Sequence, residues 1–120
     1  MRLTYLGGND YCEKDECPTL YETDSDTFVV RGWIVDGDPH SVEVPRPLLA
    51  QLAHSRLRPD AADLPPQVGL TDRGTYRVYG QPVVDPDALR QMNLPTHESA
   101  VEVPAALRLV VDQDHAPTDH

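Results

Sequence analysis

Two cysteines, five histidines and 20 carboxylates hold most of the reactive chemistry in this 120-residue chain, and their spacing limits what they can do. Cys12 and Cys17 bracket Glu13-Lys14-Asp15-Glu16 in a C-x4-C pattern. A structural zinc site takes four thiolate or imidazole ligands. Only His115 and His120 stand at ligand-like spacing, and they fall in 112–120, which reads as a frayed tail. Ligand number therefore argues against zinc. Free thiols are expected, with a reversible disulfide as the alternative. No G-x-S-x-G elbow and no H-E-x-x-H pair occurs, and Gly7-Gly8-Asn9 is too short to cradle a phosphate. The sequence points away from a catalytic centre, a metal and a cofactor.

A second chemistry is local. Thr23-Asp24-x-x-Thr27 and Thr71-Asp72-x-x-Thr75 are turn sequences whose short oxygen-bearing side chains cap backbone amides. Thr23, Asp24, Thr71 and Asp72 are expected in that role, and Gly74 accepts a left-handed backbone. The alternative for Asp24 and Asp72 is a facing pair of carboxylates across a two-fold axis. Glu43 and Glu102 are expected on solvated strand faces. Aromatic and guanidinium groups supply contact chemistry. Trp33, the lone tryptophan, is ordinarily core but can anchor a partner. Trp33, Tyr76, Tyr79 and Arg31 are the candidate partner or ligand contacts.

The elements that position these residues come in two copies. Thr23 to Val35 aligns without a gap on Thr71 to Val83, an offset of 48 that matches Thr23 with Thr71, Asp24 with Asp72, Gly32 with Gly80 and Phe28 with Tyr76. Ser41-Val42-Glu43-Val44-Pro45 recurs as Ala100-Val101-Glu102-Val103-Pro104 at an offset of 59, so the second copy carries 11 extra residues between the blocks. Ordered matches of this kind are what a duplication looks like. Each copy predicts a turn, a β-branched strand interrupted by glycine, an alternating Val-Glu-Val strand ended by proline, and a short helix. The helices are expected over Pro47–Leu57 and Ala105–Val111. Asp85 to Met92, within the extra residues, predicts another short helix with an acidic start.

The fold class expected is α+β, mainly β. Two pseudo-symmetric hairpin, strand and short-helix repeats share one sheet or small barrel. One domain spans 1–120, with repeats at about 17–57 and 68–111 and a proline-bearing linker at 58–67. Twelve prolines, about double ordinary usage, fit short elements. A net charge of −10 opposes phosphate backbones and anionic lipid. No apolar run is long enough to span a membrane, and the first residues lack a secretory core, so the expected place is the cytoplasm.

The Cys17-Pro18-Thr19-Leu20-Tyr21-x-Thr23-Asp24-x-x-Thr27-Phe28-Val29-Val30-x-Gly32-Trp33 stretch, with its later Val-Glu-Val-Pro, resembles a group of small uncharacterised actinobacterial proteins. They carry C-P-T-L-Y-x-T-D-x-x-T-Y-x-V-x-G-W-x-V-x-D-P and are often encoded beside helix-turn-helix regulators. The first copy matches from Cys17 to Trp33. The second keeps Asp85-Pro86-Asp87-Ala88-Leu89 but lacks the cysteine and the tryptophan. The chain thus looks like a duplicated form of a usually single-copy unit. A strand, Val-x-Val-Pro and a leucine helix are also similar to the swapped-hairpin barrels of AbrB-like and MazE-like regulators and antitoxins, which bind DNA through basic residues this chain mostly lacks.

The function expected is a non-enzymatic accessory protein that binds a protein partner with a basic surface. A helix-turn-helix regulator or a toxin-like protein is the class of partner, and a homodimer is allowed. The alternative is a small-ligand binder or enzyme with a pocket between the repeats, lined by Trp33, Tyr76 and Tyr79.

Overall fold

β-branched runs and dense prolines give strands joined by tight turns. The computed structural model describes residues 1–8, 18–50, 52, 55, 67–94 and 98–107. Its elements are β1 (Leu3–Gly8), β2 (Thr19–Thr23), β3 (Thr27–Val35), β4 (Asp38–Pro45), α1 (Arg46–Leu49), β5 (Val68–Leu70), β6 (Thr75–Tyr79), β7 (Gln81–Pro82), α2 (Pro86–Met92) and β8 (Glu98–Pro104). The fold is α+β and mainly β. All strand pairs are antiparallel within one eight-stranded sheet, ordered β1-β2-β3-β4-β6-β5, with β8 bridging β3 and β7. Only Gly80 separates β6 from β7, so the pairings β3–β4, β4–β6, β7–β8 and β8–β3 run in a circuit. The cysteine loop, residues 58–66 of the linker, much of the helix expected beyond Leu49 and everything after Leu107 lie outside the described residues. Among those described, no helix is long and apolar enough to cross a membrane.

Strand registers repeat at the offsets seen in the sequence. β3 lies against β8 with Thr27 opposite Pro104, Phe28 opposite Val103 and Val30 opposite Val101. β6 lies against β4 with Thr75 opposite Pro45, Tyr76 opposite Val44 and Val78 opposite Val42. Leu20 opposite Val30 in β2–β3 has its equivalent in Val68 opposite Val78 in β5–β6. Trp33 opposite Glu43 has its equivalent in Gln81 opposite Glu102. Two corresponding halves result. One contains β2, β3 and β8; the other contains β5, β6 and β4.

Strand alternation sends Phe28, Val30, Val42, Val44, Tyr76, Val78, Val101 and Val103 to one inner side. Leu48, Leu49, Leu52 and Leu107, from the two segments that follow Val-x-Val-Pro, pack into the same cluster. Among the described residues that cluster has 14 buried members, against four in the outer one between α2 and the sheet. At about 1.5–3 kcal/mol for each fully buried Val, Leu or Phe, the inner cluster supplies most of the hydrophobic stabilisation.

Gly32 and Gly80 show why the strands need glycine. A Cβ on Gly32 would stand 2.6 Å from the Glu43 carbonyl oxygen and 2.7 Å from a Val44 methyl. A Cβ on Gly80 would meet the Glu102 carbonyl oxygen and a Val103 methyl at the same two distances. The expected close approach of backbone is present in both halves.

α2 follows from its caps. Asp85 accepts the Ala88 amide at 3.0 Å, Pro86 occupies the first turn, and Asn93 ends the helix in the left-handed region. Ala88 and Met92 bury against Val29 and Ala100, with Leu89, Val83 and Tyr21 around them.

Candidate functional site

The halves differ most in what covers their outer faces. Val29 and Ala100 lie beneath α2. Their equivalents, Arg77 and Ser41, have no helix over them among the described residues. The cause is local: β7 and β8 are joined by the longer segment that forms α2, whereas β3 and β4 are joined by a tight turn at Asp36-Gly37, with Gly37 at φ +78°. The face of β4 and β6 that no described helix covers is the candidate site.

A polar cluster organises it. Asp38, at the start of β4, accepts the His40 amide at 2.9 Å, the Ser41 hydroxyl at 3.0 Å and Arg77 Nη2 at 2.6 Å. Arg77 Nε also donates to Ser41 Oγ at 3.0 Å, and its guanidinium lies 4.9 Å from the centre of the Tyr79 ring. The His40 amide first, then Ser41 and Arg77, hold the Asp38 carboxyl below its ordinary range. Ser41 thus gives its proton to a weakly basic carboxylate and its lone pair to an arginine, which does not activate a nucleophile.

Nearby, Glu43 pairs with Arg73 and accepts the Thr75 hydroxyl at 2.6 Å. These two partners, Arg73 foremost, hold the Glu43 carboxyl below its usual value. Two shallow grooves flank the cluster. One of about 390 Å³ is lined by Ile34, Val35, Pro39, Ser41 and Ser99, among others. The other, of about 380 Å³, is lined by residues including Val35, Leu70, Asp72, Arg73 and Tyr79. Ile34 and Leu70 are exposed by 46% and 64%.

The expected contact residues do not gather in one place. Tyr76 faces the inner core at 6% exposure, with Arg46 over its ring. Tyr79 stands on the bare face and Trp33 is half-buried on β3, Cα-paired with Glu43 on one side and Glu98 on the other. Strand alternation puts Tyr76 on the side opposite Tyr79, so the pocket lined by Trp33, Tyr76 and Tyr79 does not form.

Arg31 is buried and works as an internal fastener. Its Nε donates to Glu98 at 2.6 Å and its Nη1 to the Met92 carbonyl at the end of α2, at 2.9 Å. Burial alone would pull the Arg31 guanidinium down, but Glu98 and Tyr21 outweigh it and keep it charged.

The turn residues divide by type. Thr23 Oγ1 accepts the amides of Ser25 and Thr27, and Thr71 Oγ1 accepts those of Arg73 and Thr75. Asp24 does not cap its own turn; its carboxylate accepts the amide of Arg2, the residue before β1, at 3.3 Å. Asp72 lines the second groove, and no ion pair or hydrogen bond holds its carboxylate among the described residues.

Sequence reasoning missed the role of Glu43 and Glu102. Thr27 donates to Glu102 at 2.6 Å and Thr75 donates to Glu43 at 2.6 Å, so each half's turn is tied to the Val-Glu-Val strand of its own half, which is distant in sequence. A carboxylate only accepts, which makes Thr23 the donor to Thr27 at 2.7 Å and Thr71 the donor to Thr75 at 2.6 Å. The recurrence of both threonines and the glutamate in each copy was the available signal. Arg77 and Asp38 carried none, because neither recurs: Val29 and His97 stand at the equivalent places.

Among the described residues no group of three or more His, Cys, Asp or Glu side chains is placed to hold a metal ion. No family model, curated protein or solved structure matches the chain.

Proposed function

We propose that the chain is a duplicated strand-rich unit that acts as a non-enzymatic binding protein, holding a protein partner on the outer face of β4 and β6. The observation that carries this reading is the unequal covering of two otherwise corresponding faces: Val29 and Ala100 lie beneath α2, whereas among the described residues no helix covers half-exposed Arg77 or Ser41, which is buried by its strand neighbours. The repeated registers, the matched glycine contacts and the matched threonine–glutamate bonds support the duplication. An internally paired polar centre is bordered by two shallow grooves, one lined in part by Ile34 and Val35 and the other by Val35, Leu70 and Tyr79. Such a centre with an apolar rim suits a protein surface better than a small molecule, which is normally enclosed in a concave pocket. A net charge of −10 favours a basic partner. Given the resemblance noted in the sequence, helix-turn-helix regulators and toxin-like proteins are the first to try.

The test compares proteins retained from native lysate by the wild-type chain, by Ile34→Asp with Tyr79→Ala, and by Arg90→Glu on the exposed side of α2. A partner held by wild type and by Arg90→Glu but lost with the double variant is expected. Equal retention by all three forms would sink the idea.

A further inference from the structure

We propose that the free edge of β5 takes up a β-strand from the partner, supplied by a segment carrying lysine or arginine. This deepens the partner-binding reading and rests on it.

The backbone sets the direction of the edge. Thr71 N donates to Thr75 O at 2.8 Å and Tyr79 N to Gln67 O at 3.1 Å. In an antiparallel pair such bonded positions alternate with unbonded ones. Gly69 therefore spends its amide and carbonyl on Arg77, its partner in β6, whereas Val68 and Leu70 turn theirs outward. Nothing among the described residues pairs with β5 on that side, and β5 ends the strand order.

The other half shows what such an edge accepts. Leu20 and Glu22 are the equivalents of Val68 and Leu70, and both lie opposite β1, Leu20 against Gly7 and Glu22 against Thr4. β1 is in turn tied to α2, since Leu3 N donates to Gln91 Oε1 at 3.0 Å. Among the described residues, the half with β5 has neither the added strand nor the helix. β5 itself reads Val-Gly-Leu, without the lysine, proline or bulge that blunts an exposed edge. Strand addition to such an edge is an established mode of recognition.

Charge selects the strand. In the groove beside Leu70, Arg73 is taken by Glu43, and Arg77 by Asp38, leaving the Asp72 carboxylate for an incoming cation. A second copy would bring another −10 to the contact, so a basic segment of a different protein fits better.

Hydrogen exchange on the full-length chain tests this, using a synthetic peptide of alternating lysine and valine as the probe and a glutamate–valine peptide as control. In dilute free protein the Val68 and Leu70 amides should exchange fast, and those of Leu20 and Glu22 slowly. The lysine peptide should slow Val68 and Leu70 by at least about tenfold, and the glutamate peptide should not. Leu70→Pro removes an outward amide while sparing the β5–β6 bonds, and should abolish the effect; Asp72→Lys, which leaves the backbone intact, should weaken it.

Slow exchange at both amides in the free protein would mean that another part of the chain holds the edge, and would overturn the proposal. Protection that grows with protein concentration would assign the edge to a second copy, with the same consequence. Absence of protection by the lysine peptide also overturns it. If capture through Ile34 and Tyr79 persists while β5 stays unprotected, strand addition fails and the partner reading stands. If β5 is protected but no face-dependent capture occurs, the fault lies with the partner reading.

Discussion

β3 and β6 occupy corresponding places in register, yet one carries a continuous buried run and the other borders a face that no described helix covers. β3 buries five consecutive residues, Phe28 to Gly32, under β1, β2, β8 and α2. β6 alternates, with Tyr76 and Val78 buried and Arg77 and Tyr79 half-exposed. The inner halves of both strands do the same work, holding one core. Their outer sides differ: Val29 and Arg31 serve an internal helix, whereas the Arg77 guanidinium lies over the Tyr79 ring beside open grooves. Equivalence thus marks the scaffold, and departures from it mark where a task can be housed.

The largest test of that contrast is Arg31. Arg31→Met should destabilise by about 3–5 kcal/mol, because it strands the Glu98 charge beneath α2. Arg31→Met with Glu98→Leu should recover most of the loss. Tyr79→Met at the equivalent place should cost no more than about 1 kcal/mol. Urea unfolding measures all three, and equal losses at Arg31 and Tyr79 would erase the difference between the halves.

The next test asks for sameness. Gly32→Ala and Gly80→Ala each force a Cβ against a backbone carbonyl at 2.6 Å. Each should cost about 3 kcal/mol, the upper end for overpacking, and the two should agree closely. A large disagreement in denaturant midpoints would break the correspondence of the inner core.

Smaller still is the turn. Asp26, at φ 60°, stands where the other half has Gly74, at φ 77°. Asp26→Gly should stabilise by a few tenths of a kcal/mol and Gly74→Ala should cost about 1 kcal/mol, both read from thermal melts.

The smallest effect concerns pH. The folded-state value of Glu43 is depressed from 4.5, so its contribution is present above the ordinary glutamate range and lost as pH falls through the lower, folded value. Glu43→Gln should therefore flatten the acid limb of the stability profile, modestly, because Arg73 is largely exposed and its pull is screened by solvent. An unchanged acid limb would show that Arg73 and Thr75 do not set the Glu43 charge.

Much of the scaffold was legible in the sequence for a physical reason. Glycine at 32 and 80, threonines at the turns and Val-Glu-Val-Pro answer demands of backbone geometry that are local, so the chain displays them directly. α2 was legible through Asp85-Pro86-Asp87, since caps act over a single turn. The destination of Arg31 was not, because its partners are Glu98 and the Met92 carbonyl, more than 60 positions away. The bare face was hidden for the same reason. Which residues a helix covers depends on how strands distant in sequence come together, and Arg77 looks no different in a list of residues from an arginine at any solvated surface.

The register of β3 against β8 has a consequence for synthesis. Thr27 meets Pro104, and every residue from Thr27 to Trp33 finds its β8 partner near the other end of the described chain. As the polypeptide emerges from the ribosome, β3 must wait with one edge unsatisfied until β8 has been made. Contacts that close so long a loop form slowly, and a waiting strand can be captured by the wrong neighbour. The same pairing that welds the finished protein therefore sets a nascent-chain interval in which translation speed and chaperone access govern how much of it folds.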